Sequence, residues 1–231
     1  MQKAILITGA NKGIGFEIAR QCGKIGFHVI ISGRNAEAIN ASLEKLRDMG
    51  IHADSLLMDV SSMESIKSAA ETFSQMNLKL DVLVNNAGIG PKGDHSILTD
   101  TPELIQTILA TNSFGPLYVT REFLPFINRP GRIIMISSSG GVLNGPVPGW
   151  SPAYCVSKTM LNAFTKQIAY DLKADKIAVN AVCPGWVKTD MGGSGATRRV
   201  EKGAETPVWL ATEAPLSLTG KFIKDKEEQN W

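Results

Sequence analysis

The sequence predicts a doubly wound α/β domain, with one mostly parallel, seven-stranded sheet and helices on both of its faces. Two observations predict it. Short β-rich runs recur along nearly the whole chain with longer amphipathic stretches between them. The runs are also almost continuously apolar, as strands covered on both faces should be. Strands are expected at residues 4–7, 29–31, 55–57, 82–84, 133–136 and 178–182, with a weak seventh at 222–223. Helices are expected at 14–24, 36–49, 63–76, 103–126 and 153–172. Within the fourth helix, Gly115 and Pro116 disturb regular hydrogen bonding. The alternation implies right-handed crossovers. No repeat or linker interrupts the order, so residues 1–231 read as a single domain. The Gly- and Pro-rich stretch 140–152 and the irregular stretch 190–203 are the expected substrate loops.

Composition narrows the function classes. The chain has 231 residues and a net charge of +2 from 24 basic and 22 acidic side chains, which excludes the overall footprint of a nucleic-acid binder. Arg198, Arg199, Lys202 and the mixed-charge tail 224–228 read as solvated surface. Cys22, Cys155 and Cys183 are odd in number and lack CxxC spacing, so neither a disulfide frame nor a zinc site is expected. His28, His52 and His95 are scattered, and no metal is expected. The first apolar run is too short for a signal peptide or a membrane span. These features point to a cytoplasmic protein without a membrane partner.

The first strand ends in Thr8-Gly9-Ala10-Asn11-Lys12-Gly13-Ile14-Gly15, and a helix follows. Glycines there let backbone N–H groups and the helix start approach a pyrophosphate closely. A tight structural turn is the plainer alternative. Its position between the first strand and first helix of a doubly wound pattern favours a Rossmann-type dinucleotide site. The second strand ends Ser32-Gly33-Arg34, without the acidic side chain that accepts from a ribose 2′-OH. Arg34 offers a planar donor fork to a 2′-phosphate, and Lys12 a second positive charge. NADP(H) is therefore expected over NAD(H).

Gly9, Asp59, Asn86, Ser138 and Pro184 each fall just after an expected strand. All would gather at the carboxyl edge of the sheet, where open α/β folds bind ligands. Tyr154 and Lys158 lie four apart on an expected helix and so share a face. A phenol titrates near pH 10, and a nearby ammonium favours the phenolate. Lowering it by two units takes about 2.7 kcal/mol. Tyr154 can then act as general acid toward a carbonyl and as base in reverse.

Thr8–Gly15, Asp59-Val60, Asn85-Asn86-Ala87-Gly88, Asn112, Ser137–Ser139, Tyr154-x-x-x-Lys158 and Pro184-Gly185 occur in one order. On these motifs the chain resembles a short-chain dehydrogenase/reductase, from Lys3 to its last residues. The stretches NKGIGFEIAR, CPGWVKTDMGG and TGKFIKDKEEQNW are similar to carbonyl reductases that use NADPH. The resemblance implies a catalytic set of Asn112, Ser138, Tyr154 and Lys158. Ser138 would hydrogen-bond the substrate oxygen, with Ser139 an alternative. Asn112 would hold a water linking Lys158 to solvent, or else merely cap the bend. The resemblance further implies that Asp59 and Val60 border the adenine, and that Asn86, Ala87 and Gly88 border its ribose. Pro184, Gly185, Val187 and Thr189 would hold the nicotinamide, and Lys158 its ribose hydroxyls. Met135 stands where many relatives have asparagine, so a supporting contact should differ.

The reaction expected is hydride transfer to a ketone or aldehyde; an alcohol dehydrogenase or an idle NADP(H) sensor are the rivals. Leu143, Val147, Trp150 and the stretch 191–200 are the expected substrate walls. The chain lacks a long insertion found before the tyrosine in animal carbonyl reductases. The resemblance links that insertion to a monomer, so a homodimer or homotetramer pairing the Asn112 and Tyr154 helices is expected.

Overall fold

The computed structural model describes residues 2–90, 92–146 and 148–231. The strands are β1 (Ala4–Ile7), β2 (His28–Gly33), β3 (Ala53–Leu57), β4 (Leu80–Asn85), β5 (Ile127–Ile136), β6 (Ile177–Val182), β7 (Phe222–Lys224) and β8 (Glu227–Gln229). They form one sheet in the order β3-β2-β1-β4-β5-β6-β7-β8, parallel except for β8. Every residue of β1, β2 and β6 is buried, which explains their unbroken apolar runs.

Side-chain alternation divides the core in two. Ile5, Ile7, Val29, Ile31 and Ile134 face α1 (Gly13–Lys24), α2 (Ala36–Asp48) and α7 (Val200–Thr212), packing on Ile18, Leu46 and Leu210. Leu6, Ile30, Ile133 and Val179 face the other way, toward α3 (Met63–Gln75), α5 (Gly115–Phe123) and α6 (Pro152–Asp171). Phe73 and Phe123 are fully buried there with ring centroids 5.7 Å apart. Truncating either to alanine should cost about 3–5 kcal/mol.

Three expectations need correction. The sheet has an eighth strand, formed by the charged tail that read as plain surface. Asp225 and Lys226 turn the chain with φ of 53° and 66°, the positive values a tight hairpin requires. Helix α7 was not anticipated, because Gly203 and Pro207 mask its helical character, and it takes over the end of the stretch 190–203. The expected helix 103–126 is broken. It comprises α4 (Pro102–Leu109), a π turn (Ala110–Phe114), α5 and a 3-10 turn (Leu124–Phe126). Among the described residues no helix is long and apolar enough to cross a membrane.

Candidate active site

The turn after β1 is drawn tight by its neighbours. Thr8 Oγ1 accepts from the amides of Asn86 and Ala87, at 3.0 Å each. The Asn86 amide donates to the carbonyls of Thr8 (2.8 Å) and Gly9 (3.0 Å). A Cβ on Gly9, whose φ is +62°, would stand 2.8 Å from Ala87 Cα. One on Gly15 would stand 2.4 Å from Asn86 Nδ2. Only glycine permits this approach. Helix α1 then starts at Gly13 and Ile14 with Lys12 as its N-cap, without a side-chain cap and with no acidic residue in its first turn. By contrast α2, α3 and α4 are capped by Asn35, Ser62 and Thr101. Uncapped amides at a helix start beside a glycine cradle suit a pyrophosphate. These residues fit a dinucleotide.

At the end of β2, Arg34 is exposed, with no ion-pair partner among the described residues. Asn11 lies between the two strand ends, its carbonyl accepting from Ser42 Oγ at 2.7 Å. Lys12 departs from expectation. Its ammonium is 2.6 Å from Asp190, both side chains being largely exposed, and its hydrogen bond holds the Asp190 carboxyl below the ordinary carboxylate range. Asp59 folds back on Ser61, accepting from its amide (2.9 Å) and hydroxyl (2.7 Å), and Val60 is buried against Gly115.

The Ser138 side chain faces the Tyr154 phenol and favours its ionised form, which separates Ser138 from its neighbour Ser139. Ser138 Oγ also accepts from the Gly140 amide at 3.1 Å. Lys158 is buried, donates to the Ile136 carbonyl at 2.8 Å, and lies 5.6 Å from the Tyr154 ring centroid. Burial pushes the Lys158 ammonium down to about 8. Tyr154 is only half-buried as a whole, yet burial of its hydroxyl pushes the phenol up to about 12, against the lowering effect of the Ser138 side chain. This reverses the expected lowering. Desolvation outweighs an ammonium that is itself disfavoured and already directed at Ile136.

Asn112 sits in the π turn, fully buried. Its amide donates to the Ile89 carbonyl (2.8 Å) and Ser157 Oγ (3.1 Å), and its oxygen accepts from the Ile89 amide (2.8 Å). Ser157 Oγ in turn donates to the Tyr154 carbonyl at 2.6 Å. The side chain of Asn112 therefore clamps the loop after β4 onto α6. The α-helical partner of its own carbonyl would be the N–H of residue 116, and Pro116 has none. Gly88 completes the group: a Cβ there would lie 3.3 Å from Asn112 Oδ1 and 3.5 Å from Lys158 Nζ.

The segment after β6 returns over the glycine turn. Pro184 is buried, Gly185 lies against the Arg198 guanidinium, and buried Val187 bridges to Arg198. The Thr189 methyl lies 3.3 Å from where a Gly13 Cβ would be, and its hydroxyl accepts from the Gly192 amide at 3.1 Å. Leu143, Trp150, Trp186 and Met191 are exposed, with the Trp150 ring 5.9 Å from that of Tyr154 and Met191 against Gly90. Val147 lies outside the described residues. Cys155 donates to the Trp150 carbonyl, and burial pushes its thiol up, as for an unreactive core residue.

Several supporting residues escaped the sequence reading. Asn162 receives the Ser137 hydroxyl at 2.6 Å and donates to Gly141 at 3.0 Å, holding the serine loop. Asp94 accepts the amides of Ala153 and Tyr154. No local motif marks either one. At Met135 the altered contact is visible: its sulfur accepts from Asn85 Nδ2 at 3.3 Å, and Asn85 Oδ1 is buried without a partner. The structure also gathers His28, His52 and Asp54, which seemed scattered, at the amino edge of the sheet. His28 bonds Asp54 at 2.8 Å, and the two rings stack in parallel at 3.8 Å. Their in-plane lone pairs therefore do not converge on one ion, and Arg47 already pairs with Asp54.

A family described as short chain dehydrogenase matches residues 3–199, and the chain belongs to that family. It is 34% identical over 273 aligned positions to carbonyl reductase (NADPH) 1 of Mus musculus, covering 98% of this chain and 97% of that protein. The Homo sapiens protein of the same name is 33% identical, over 98% and 97%. Alignments longer than this chain's 231 residues mean that those proteins carry residues without a counterpart here. Among solved structures, the carbonyl reductase Sniffer of D. melanogaster superposes with a TM-score of 0.90 at 28% identity, over 100% of each chain. The NADPH-bound carbonyl reductase from chicken fatty liver gives 0.89 at 26%, over 100% and 99%. The protein is thus a short-chain dehydrogenase/reductase oxidoreductase related to NADPH carbonyl reductases.

Proposed function

We propose that this protein is an NADPH-dependent reductase of ketones or aldehydes, with Tyr154 as the general acid. The observation that carries the reading is the placement of Tyr154 beside the Ser138 side chain and above buried Lys158, at the carboxyl edge of the sheet that also bears the glycine cradle. When bound, NADPH supplies the hydride. Ser138 donates to the carbonyl oxygen as charge develops, and Tyr154 delivers its proton to the same oxygen. A phenol held at about 12 is fully protonated at neutral pH, so the acid is loaded. Lys158 supports the phenolate left behind, and a water held near Asn112 restores the proton.

For the cofactor, Gly9, Asn11, Lys12, Gly13, Ile14 and Gly15 hold the pyrophosphate, and Arg34 with Lys12 the 2′-phosphate. Asp59, Val60, Asn86, Ala87 and Gly88 border the adenosine, and Pro184, Gly185, Val187 and Thr189 the nicotinamide, with Lys158 on its ribose. The whole chain acts as one domain in a reducing compartment such as the cytoplasm, in keeping with three free, buried cysteines. It works as a homodimer or homotetramer, which sedimentation velocity tests directly. The decisive assay follows loss of reduced-nicotinamide absorbance with a panel of activated ketones and aldehydes. Turnover with NADPH exceeding that with NADH is expected. Tight NADPH binding with no turnover across the panel would sink the reading in favour of a sensor.

A further inference from the structure

Helix α6, which carries Tyr154, begins without a cap of its own. Ser151 precedes it in the left-handed region, with φ 41°, and gives it no side-chain hydrogen bond. Pro152 opens the helix and has no N–H. The Cys155 amide finds Ser151 O at 2.9 Å. The amides of Ala153 and Tyr154 are left, and neither has an acceptor within the helix. Both go to a single carboxylate distant in sequence. Ala153 donates to Asp94 Oδ1 and Tyr154 to Asp94 Oδ2, each at 2.9 Å. Asp94 is 4% exposed, so these are buried, charge-assisted bonds.

The same loop passes the rest of the site. Near its start, Ile89 is held at both backbone groups by Asn112, and Gly88 faces Lys158. Gly90 lies against Met191, with the Tyr154 ring 3.9 Å from where its Cβ would be. The loop is therefore tied at one end to the π turn and at the other to the backbone of Tyr154 itself.

We infer that Asp94 is a positioning residue for the reaction: by gripping the Tyr154 amide it sets where the phenol stands relative to Ser138 and Lys158. This inference rests on the reductase reading for its kinetic consequence, but not for its geometric one.

The test compares wild type with Asp94→Asn, which offers one oxygen to two amides, and Asp94→Ala, which offers none. Active sites are counted by NADPH fluorescence titration, so that misfolded protein does not enter the rate. Turnover per site should fall about tenfold in the Asn variant and about a hundredfold in the Ala variant, with NADPH affinity within about threefold of wild type. Tyrosine labelled with ¹³C at Cζ gives an independent readout. Tyr154→Phe assigns one of the three tyrosine signals, and that signal should move in both variants while the other two stay in place. If Asp94→Ala does not fold, Asp94→Asn carries the test. The inference stands only if both rate and resonance change; either one unmoved leaves Asp94 as a stabilising cap and overturns it. Should wild type reduce no carbonyl at all, the reductase reading fails, and the Tyr154 resonance alone decides for Asp94.

Discussion

The two sides of the cleft are built on different principles. On the Tyr154 side, Asn112, Ser157 and Lys158 are buried, and each is bonded to another part of the protein. On the phosphate side, Lys12 and Asp190 have 65% and 78% of their side chains exposed, and Arg34 is exposed too. Buried polar groups tolerate little displacement, because an abandoned partner costs its full desolvation. Exposed charges change partners cheaply and are screened by salt. In the proposed reductase, the geometry for proton transfer is therefore formed before any ligand arrives, while grip on the cofactor stays adjustable.

The contrast breaks most sharply at Tyr154. Tyr154→Phe keeps the ring against Trp150 and removes only the acid, so kcat should fall about a thousandfold with NADPH affinity unchanged. A rate within tenfold of wild type would show that the buried side does not carry the chemistry. Lys158 gives a stability test of the same side. Its ammonium is pushed down to about 8 in the fold, against an ordinary value near 10.5. Between those values the unfolded chain binds more protons, so stability should rise with pH from about 8 to 10.5. Below that window the buried charge costs about 3 kcal/mol, and losing the bond to Ile136 offsets about 1. Lys158→Met should then be about 2 kcal/mol more stable in urea at pH 7, with the gain gone by pH 10.5, while turnover disappears. A Met variant less stable at pH 7 would mean that the lysine is better compensated than its surroundings indicate.

The same division explains what could be read from the sequence. Ala4–Ile7, the glycine turn and the Tyr154–Lys158 pair were legible because period, glycine position and four-residue spacing are local properties. Asp94 and Asn162 were not, because their partners lie 59 and 25 residues away and only the tertiary fold brings them together. Helix α7 was hidden by Gly203 and Pro207, and β8 by a charged sequence that pairs only as a sheet edge. The Tyr154 phenol was misjudged for a related reason. Spacing revealed the lysine beside it, but desolvation depends on everything packed around both.

On the exposed side, Arg34→Asp should weaken NADPH by about tenfold to a hundredfold and leave NADH nearly unaffected, since only the former carries the 2′-phosphate. Equal loss for both cofactors would remove Arg34 from that role.

The smallest effect sharpens the comparison most. Asp190 pairs with Lys12, the proposed phosphate ligand; if the two compete, Asp190→Asn should free that ammonium and tighten NADPH about two- to fivefold. Because the pair is exposed, the gain should shrink at about 0.5 M salt, and NADH should show none of it. Tyr154 turnover per bound cofactor should not change, as no buried bond is touched. The opposite sign is also physically meaningful. The Lys12–Asp190 pair joins the glycine turn to the segment bearing Thr189, and if that bridge helps to enclose the cofactor, the Asn variant would bind NADPH and NADH more weakly alike. Titrating both cofactors at low and high salt separates competitor from latch.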